Sequence, residues 1–348
     1  MDCEMKGDFP VKAAFYLGNQ NIRIGPCSSV APKPDEVQIK VSYVGICGTD
    51  LHIYHGQMDK RVTVPHIMGH EMSGIVHSVG ENVTGLSVGD KVTVMPLGSC
   101  MNCPACWAGH AHICHRLKFF GIDTPGAFQS FWTVSAKNVF RLPDHMSMQL
   151  GAMIEPLAVA CHDVRLSGIS AGDYVVVIGG GPIGTLIALV AQDLGARVLV
   201  LEINPFRLGL LRELGIEAIH PHERDVAEYV NRNTNGAGAD AVFEVSSSQA
   251  GAEMMTRLPR TRGRIVIVGI FSEPAKVDLH KFFWRELQMI GARVYEPEDF
   301  RKAIDLAASG RIPLDRLITD VYPLEQLNLA LEHVGNGGSA MKVLVECS

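Results

Sequence analysis

A glycine-rich turn inside an uncharged stretch, residues 174–192, limits what this chain can fold into more than any other feature of the sequence. The stretch opens with Tyr174–Ile178, an unbroken apolar run rich in β-branched residues, of the kind that parallel sheets bury on both faces. The turn Gly179–Gly184 follows at once, and its glycines and proline argue against a continuous membrane-spanning helix. The stretch therefore predicts a strand, a tight turn and a helix.

Similar runs continue towards the C-terminus and alternate with helical segments. The further predicted strands are Arg197–Leu201, Ala241–Val245 and Arg264–Val268, and the predicted helices include residues 156–166 and 206–214. Strands that alternate with helices predict a doubly wound α/β domain built on a parallel sheet.

The turn Gly179–Gly184 also fits the pattern G-x-G-x-x-G, at the junction of a strand and a helix. Gly179 permits the tight turn, Gly181 lets the backbone approach a pyrophosphate, and Gly184 lets helix and strand pack closely. The helix N-terminus adds free N–H groups and a positive dipole end, which attract phosphate. We therefore expect a dinucleotide-binding site at this turn.

An acidic residue, Glu202, stands at the end of the next predicted strand, where its carboxylate is expected to accept hydrogen bonds from the adenine ribose. A 2′-phosphate at ~4 Å would meet a repulsion of roughly 4 kcal/mol at an effective dielectric constant of ~20, so we expect NAD rather than NADP. Arg207 lies close by in sequence, as a group that stacks on adenine or as a surface charge. The other expected cofactor contacts are Pro182 and Ile183 at the helix start, and Val245, Val268 and Gly269 at the ends of later strands.

The first 155 residues follow another pattern, of short β-like runs such as Val37–Val41 and Lys91–Val94 separated by glycines and prolines. This pattern predicts a compact, mostly β domain. A chain of 348 residues exceeds the usual size of one hydrophobic core, so two domains are expected. We place the β domain at residues 1–155 and the dinucleotide-binding domain at 156–296, and we expect the chain to return to the first domain at 297–348.

Four of the nine cysteines, Cys100, Cys103, Cys106 and Cys114, fall within fifteen residues, in the expected lobe at about 98–115. Four thiolates close a tetrahedron around zinc and leave no open position, so this spacing predicts a structural zinc site. An odd number of cysteines without a secretory signal also favours metal ligands or reduced thiols over disulfides.

A second group of metal-ligating residue types is dispersed along the chain. Cys47 lies in Gly45–Asp50, His70 in Gly69-His70-Glu71, and Glu155 in Ile154-Glu155-Pro156. Mixed Cys, His and Glu ligands with one position left for water or substrate are typical of an open, catalytic zinc. Spacing alone does not establish this site, because a single cysteine or histidine is more often a core residue.

The segment Gly69-His70-Glu71-x2-Gly74-x5-Gly80-x2-Val83 resembles the signature of zinc-containing medium-chain alcohol dehydrogenases, and the cysteine lobe and glycine-rich turn follow in the same order. Ile154–Leu157 resembles the sorbitol (polyol) dehydrogenase branch of that family. The resemblance implies a GroES-like catalytic domain, a Rossmann-fold domain, and dimers or tetramers. It also implies that Cys47, His70 and either Glu71 or Glu155 bind the catalytic zinc.

The resemblance further implies a proton relay in which the Thr49 hydroxyl is followed by the His52 imidazole, a group that titrates near neutral pH. Asp50 is expected to orient His70. Arg293 matches the position of a substrate-contacting arginine in polyol and sugar-acid dehydrogenases, although a structural ion pair is an equal alternative.

Composition narrows the range of partners. The net charge is −6 and no Lys/Arg run is present, so we expect no nucleic acid as partner. Residues 1–10 lack the apolar core of a signal peptide, and we expect a soluble, cytoplasmic enzyme.

The preferred function is NAD-linked oxidation of a secondary alcohol in a polyol or sugar-derived substrate. Cys47–Tyr54 also resembles threonine-type dehydrogenases, although those usually carry Asp where Glu155 stands, and a 2,3-butanediol or other secondary alcohol dehydrogenase is a further alternative. A non-catalytic cofactor-binding sensor is the most remote alternative function, because such proteins often lose the zinc ligands that this chain retains.

Overall fold

The computed structural model describes residues 11–348, so the amino-terminal segment Met1–Pro10, which we expect not to be a signal peptide, lies outside the described residues. The chain divides into two compact units. Unit 1 contains residues up to Glu155 together with Leu314–Ser348, and unit 2 contains Pro156–Pro313.

Unit 1 is mostly β, as the short runs predicted. Its strands before residue 155 are β1 (Lys12–Tyr16), β2 (Ile22–Pro26), β3 (Glu36–Gly45), β4 (Glu71–Val79), β5 (Lys91–Val94), β6 (Leu97–Gly98), β7 (Lys118–Phe119), β8 (Phe131–Ser135) and β9 (Val139–Arg141). Its helices there are α1 (Gly48–Tyr54), α2 (Pro104–Trp107) and α3 (Met148–Ala152), and α4 (Ile154–Ser167) leads into unit 2.

Unit 2 alternates strands with helices. Its strands are β10 (Tyr174–Ile178), β11 (Arg197–Leu201), β12 (Glu217–Ile219), β13 (Ala239–Glu244), β14 (Pro259–Ile267) and β15 (Gln288–Gly291). Its helices after α4 are α5 (Pro182–Asp193), α6 (Pro205–Glu213), α7 (Val226–Asn233), α8 (Gln249–Met255), α9 (Leu279–Arg285) and α10 (Pro297–Ser309). The chain then returns to unit 1 through β16 (Ile318–Pro323), α11 (Leu327–Gly335) and β17 (Lys342–Glu346).

The sheet of unit 2 has the strand order β12-β11-β10-β13-β14-β15, and every neighbouring pair is parallel. The order reverses on either side of β10, as in the doubly wound sheets that bind dinucleotides at this switch point. β10 is buried along its whole length, which explains its unbroken apolar sequence.

The sheet of unit 1 brings three distant segments together at the end of β3. Antiparallel pairing of β3 with β4 sets Gly45 opposite Glu71, and pairing of β3 with β17 sets Leu344 opposite Gly45. The start of β4 and the C-terminal strand of the chain therefore both meet the residues that lead into α1. The candidate active site lies at this junction.

The return to unit 1 begins at Leu314, later than the expected residue 297. The reason is that α10 belongs to unit 2, where Asp299 accepts two hydrogen bonds from Arg165 of α4 and one from His162. Phe300 of α10 is also fully buried. An ion pair and a buried aromatic ring, neither of them visible in local sequence, anchor this helix.

None of the helices within residues 11–348 combines the length and the apolar character needed to cross a bilayer.

Candidate active site and cofactor-binding site

Cys47, His70 and Glu71 converge in unit 1, with one ligand atom from each lying within 4.8 Å of the others. Cys47 is the residue that precedes α1, and Glu71 is the first residue of β4, directly after His70. His70 and Glu71 are buried, whereas Cys47 is partly exposed. A buried set with one accessible member suits a metal that must also meet a substrate.

Asp50 holds the two ligand-bearing segments together. Its Oδ2 accepts a hydrogen bond from the Cys47 N–H (2.9 Å) and its Oδ1 accepts one from the Gly69 N–H (3.2 Å). Oδ1 also lies 3.9 Å from His70 Nδ1, which is too long for a hydrogen bond. Burial raises the pKa of Asp50, although His70 opposes the shift. Asp50 therefore fixes the backbone beside both Cys47 and His70. The sequence predicted that Asp50 orients the His70 side chain, and it did not predict these backbone hydrogen bonds.

His70 carries a buried Nδ1 with no hydrogen-bond partner among residues 11–348. Burial lowers the pKa of His70, but Asp50 and then Cys47 outweigh it and raise the pKa to about 10. A cation at this site therefore competes with a proton, as is general for metal sites with histidine and thiolate ligands. The soft and hard donors crowded here fit a zinc ion.

Lys342, which the sequence did not indicate as a site residue, pairs with Glu71 in this buried region. Its Nζ also donates a hydrogen bond to the Ile46 carbonyl (3.1 Å). Burial lowers the pKa of Lys342, but Glu71 and then Cys47 raise it above the ordinary lysine value. A Cβ at Gly45 would clash with the Glu71 carboxylate as it is placed here, so glycine leaves room for the pair. The only signal in the sequence is a lysine inside the apolar run Ala340–Val345.

Glu155, in the first turn of α4, is buried but is not in the 4.8 Å set with the two other expected ligands. Its charge contributes to raising the pKa values of His70 and Lys342, so it acts on the same site. The geometry thus groups Glu71 with Cys47 and leaves Glu155 beside them.

The two residues expected to relay a proton share helix α1. Thr49 is half-buried and His52 is exposed, three residues further along the helix. Residues three apart face the same side of a helix, so the half-buried threonine is followed by an imidazole in contact with solvent.

The four cysteines of the lobe lie in one cluster, with their sulfur atoms within 4.8 Å of one another. The Sγ atom of Cys103 lies 3.5 Å from that of Cys106 and 3.8 Å from that of Cys114, and the Sγ atoms of Cys100 and Cys114 are 3.3 Å apart. A tetrahedral zinc with Zn–S bonds of about 2.3 Å separates its sulfurs by about 3.8 Å, so the cluster fits a zinc ion closely. Backbone N–H groups, first that of Cys106, lower the pKa of Cys103 to about 6.

The turn after β10 has the geometry that the glycine pattern predicted. Gly179 has a φ of 105°, which favours glycine, and a Cβ on Gly184 would clash with the Gly179 carbonyl. A Cβ on Gly181 would meet only the Arg207 guanidinium, at 3.5 Å. The turn therefore leaves an open cradle beside a positive charge at the start of α5, and this cradle fits a dinucleotide phosphate.

Glu202 accepts hydrogen bonds from several backbone N–H groups, which the sequence did not predict. Its Oε2 accepts a hydrogen bond from the Gly180 N–H (2.8 Å), and its Oε1 accepts bonds from the N–H groups of Ile203 (2.7 Å) and Asn204 (2.8 Å). The carboxylate is largely buried and holds the glycine-rich turn in place. Arg207 follows in the first turn of α6, and its Nε is buried with no hydrogen-bond partner among the described residues.

The other expected cofactor contacts lie at the carboxyl ends of neighbouring strands, where such sheets bind ligands. The Val245 N–H bonds the Ile178 carbonyl (2.9 Å), and the Val268 and Gly269 N–H groups both bond the Glu244 carbonyl (2.9 Å each). Arg293, just after β15, is exposed and pairs with no described residue.

A third group of metal-ligating types, His162, Glu296 and Asp299, also lies within 4.8 Å. Arg165 donates to both carboxylates of this group, with an Nε–Oδ1 distance of 2.7 Å to Asp299. The group is therefore an ion-pair cluster that joins α4 to α10.

Comparison with known proteins identifies the family of this chain. Residues 33–144 match the alcohol dehydrogenase GroES-like domain, and residues 182–309 match the zinc-binding dehydrogenase domain. The chain belongs to the zinc-binding alcohol dehydrogenase family.

Individual members of this family match nearly the whole chain. A 2-dehydro-3-deoxy-L-galactonate 5-dehydrogenase from Pseudoalteromonas atlantica is 50% identical over 97% of this chain and 98% of its own length. A sorbitol dehydrogenase from Halalkalibacterium halodurans is 35% identical over 90% of this chain and 92% of its own. The solved structure of a zinc-binding dehydrogenase from Sinorhizobium meliloti, bound to NADP, matches with a TM-score of 0.91 and 33% identity, covering 97% of this chain and 100% of that one.

Membership confirms several expectations from the sequence. The chain is a zinc-dependent oxidoreductase that uses a nicotinamide dinucleotide, and it combines a GroES-like domain with a Rossmann-fold domain. The polyol dehydrogenase-like branch of the family is confirmed by the sorbitol and galactonate dehydrogenases among its relatives.

Proposed function

We propose that this enzyme oxidises the C5 hydroxyl of a 2-keto-3-deoxy sugar acid, or of a closely related sugar acid, with NAD+ as acceptor. The observation that carries the proposal is the Cys47–His70–Glu71 set, which could hold a metal ion, in a chain half identical to a dehydrogenase of such an acid. The unpaired Arg293 adds a donor-only group suited to a carboxylate. Reduction of NAD+ in the presence of the sugar acid, with the ketone located by carbon-13 NMR, tests the reaction.

In the proposed mechanism Cys47 and His70 bind the catalytic zinc together with Glu71 or Glu155. A zinc ion held there would act as a Lewis acid on the substrate hydroxyl and lower its pKa, and a dinucleotide bound at the glycine-rich turn would supply the hydride acceptor. The secondary alcohol thus loses a hydride and a proton and becomes a ketone, with NADH and H+ as the other products. The Thr49 hydroxyl would accept this proton as it donates its own proton towards His52, and His52 would pass a proton on to solvent.

His52→Ala is expected to slow alcohol oxidation by about tenfold or more, because a positioned proton-transfer group contributes at least that much. Imidazole added to the assay should restore part of the rate, since it supplies the missing base. His55→Ala, on the residue that ends the same helix, is the matched control. An unchanged pH–rate profile in His52→Ala would show that His52 is an ordinary surface residue with no part in proton transfer.

We propose NAD rather than NADP as the working cofactor, because the Glu202 charge lies beside the phosphate-binding turn. Glu202→Gln removes the charge that repels a 2′-phosphate and keeps one acceptor oxygen, although the other set of backbone N–H donors to this side chain loses its acceptor. The ratio of kcat/KM with NAD to that with NADP is expected to fall by roughly tenfold, which corresponds to about 1.4 kcal/mol. Initial rates with both cofactors measure this ratio, and a wild-type preference for NADP would contradict the assignment.

We also propose that the enzyme is a homo-oligomer that associates through the β15 edge of the unit 2 sheet. β15 is an edge strand, and the neighbouring helix α9 exposes Phe283 and Trp284 to 77% and 75%. A second copy can pair β15 antiparallel across a two-fold axis and cover the same aromatic residues, and such self-complementary interfaces are the commonest in oligomers.

Trp284→Glu is expected to reduce the mass measured by light scattering towards that of a single chain, because it places a charge in the proposed interface. Val88→Glu, on an exposed valine of unit 1, is the control and should leave the mass unchanged. A wild-type enzyme that is monomeric at micromolar concentration would contradict the proposal.

We place the enzyme in the cytoplasm. Every cysteine within residues 11–348 is free of a disulfide, and reduced thiols persist in that compartment. A disulfide detected by mass spectrometry in protein isolated from cells would count against this location.

A further inference from the structure

A second buried carboxylate, Glu244, lies at the carboxyl edge of the unit 2 sheet. It is the last residue of β13, the strand beside β10, and it is fully buried. Burial raises its pKa, and hydrogen bonds from Ser246 oppose the rise. A carboxylate is costly to bury without donors, so the groups that bind it indicate its role.

Glu244 binds two loops, one through its side chain and one through its backbone. Its Oε1 accepts hydrogen bonds from the Ser246 N–H (3.0 Å) and the Ser246 hydroxyl, and its Oε2 accepts one from the Ser247 N–H (3.2 Å). Its carbonyl accepts the bonds from the N–H groups of Val268 and Gly269 that were described above. The loop after β13 and the loop after β14 are therefore tied to the same residue.

The loop after β13 also lies against the glycine-rich turn after β10. A Cβ on Gly179 would lie 3.1 Å from the Ser246 nitrogen, and a Cβ on Gly269 would lie 2.9 Å from Glu244 Oε2. The loop after β13 is thus packed tightly against the turn after β10 on one side and against the loop after β14 on the other. A change in the Glu244 side chain therefore removes hydrogen bonds that hold Ser246 and Ser247 in place.

Glu244 and Glu202 lie on opposite sides of β10, because β11 and β13 flank that strand. Dinucleotides cross such a sheet with the pyrophosphate over the first turn and the adenine ribose beside the acidic residue that ends the second strand. The nicotinamide half must then extend over the ends of β13 and β14. This is the side that Glu244 organises.

We propose that Glu244 is a positioning residue for the nicotinamide half of the cofactor, acting through the loops 246–248 and 268–269. The inference rests on the dinucleotide site assigned to this edge of the sheet. Glu202, by contrast, supports the adenosine half through Gly180. Each half of the site is therefore held by its own buried carboxylate.

The test compares two ligands on the zinc-loaded enzyme by calorimetric titration: NADH, and ADP-ribose, which lacks the nicotinamide ring. Glu244→Gln keeps one acceptor oxygen and replaces the other with an NH2 group, which cannot accept the hydrogen bond from Ser246 or from Ser247. NADH affinity is expected to fall by about tenfold or more, as for the loss of hydrogen bonds to a charged group, while ADP-ribose affinity stays within about twofold. Glu253→Gln, on an exposed residue of α8, is the matched control.

Ser246→Ala removes only one hydroxyl donor to Glu244 and serves as the test if Glu244→Gln does not fold. We expect it to lower NADH affinity by a smaller factor and to leave ADP-ribose affinity unchanged. Equal losses for both ligands would show a merely structural role and overturn the inference, as would no loss for either. A wild-type enzyme that binds neither NADH nor ADP-ribose would instead overturn the assignment of the dinucleotide site.

Discussion

Cys47→Ala is expected to lower kcat/KM at least about a thousandfold, because Lewis-acid stabilisation by a catalytic zinc amounts to several kcal/mol. The variant should lose one zinc per chain and keep its fold, since Cys47 is partly exposed and lies at the start of a short helix. Elemental analysis measures the zinc content, and the melting temperature measures the fold.

Cys103→Ser is the matched variant in the other cluster. Cys103 is buried among the three other thiols, and a closed zinc site contributes folding energy directly. This variant should also lose one zinc, and its melting temperature should fall by more than about 5 °C, in line with a loss of a few kcal/mol. Loss of activity without loss of zinc in Cys47→Ala would contradict the assignment of the open site.

Arg293→Met is expected to lower kcat/KM for a sugar acid by about a hundredfold. The reason is that the variant cannot form the hydrogen-bonded charge pair that we propose between Arg293 and the substrate carboxylate. The exposed guanidinium has no partner among the described residues, so its removal leaves no buried charge behind. Sorbitol, which carries no carboxylate, serves as the internal control and should lose little. If kcat/KM falls equally for the sugar acid and for sorbitol, Arg293 does not bind the substrate carboxylate.

The α/β half of the fold is predictable from sequence because buried parallel strands are continuous apolar runs. The strands Tyr174–Ile178 and Arg197–Leu201 begin and end where the sequence predicts. The helix α10 was harder to place, because its membership of unit 2 depends on the Arg165–Asp299 pair, which joins residues 134 positions apart. Long-range ion pairs leave no local pattern.

The candidate sites show the same division. The cysteine lobe is local in sequence, so the four sulfurs could be grouped from spacing alone. Lys342 could not, because it reaches Glu71 only through the pairing of the last strand with β3. The backbone donors to Glu202 were also missed, since they depend on how the turn after β10 folds against β11.

The same contact involves Glu71, one of the two glutamates proposed as the third zinc ligand. Lys342 holds one oxygen of Glu71, whereas Glu155 lies outside the 4.8 Å set yet acts on His70. Both residues therefore remain part of the proposed ligand set.

The most direct test of the proposed function is the kcat/KM of the zinc-loaded enzyme with NAD+ for 2-keto-3-deoxy-L-galactonate, sorbitol, 2,3-butanediol, L-threonine and 2-butanol, measured side by side. A site that binds a carboxylate and neighbouring hydroxyls should favour the sugar acid by at least about a hundredfold over 2-butanol, because 2-butanol leaves those polar groups unpaired. If 2-butanol equals the sugar acid, the pocket is a generic apolar one. If L-threonine is the best substrate, an amino-acid dehydrogenase replaces the sugar-acid assignment.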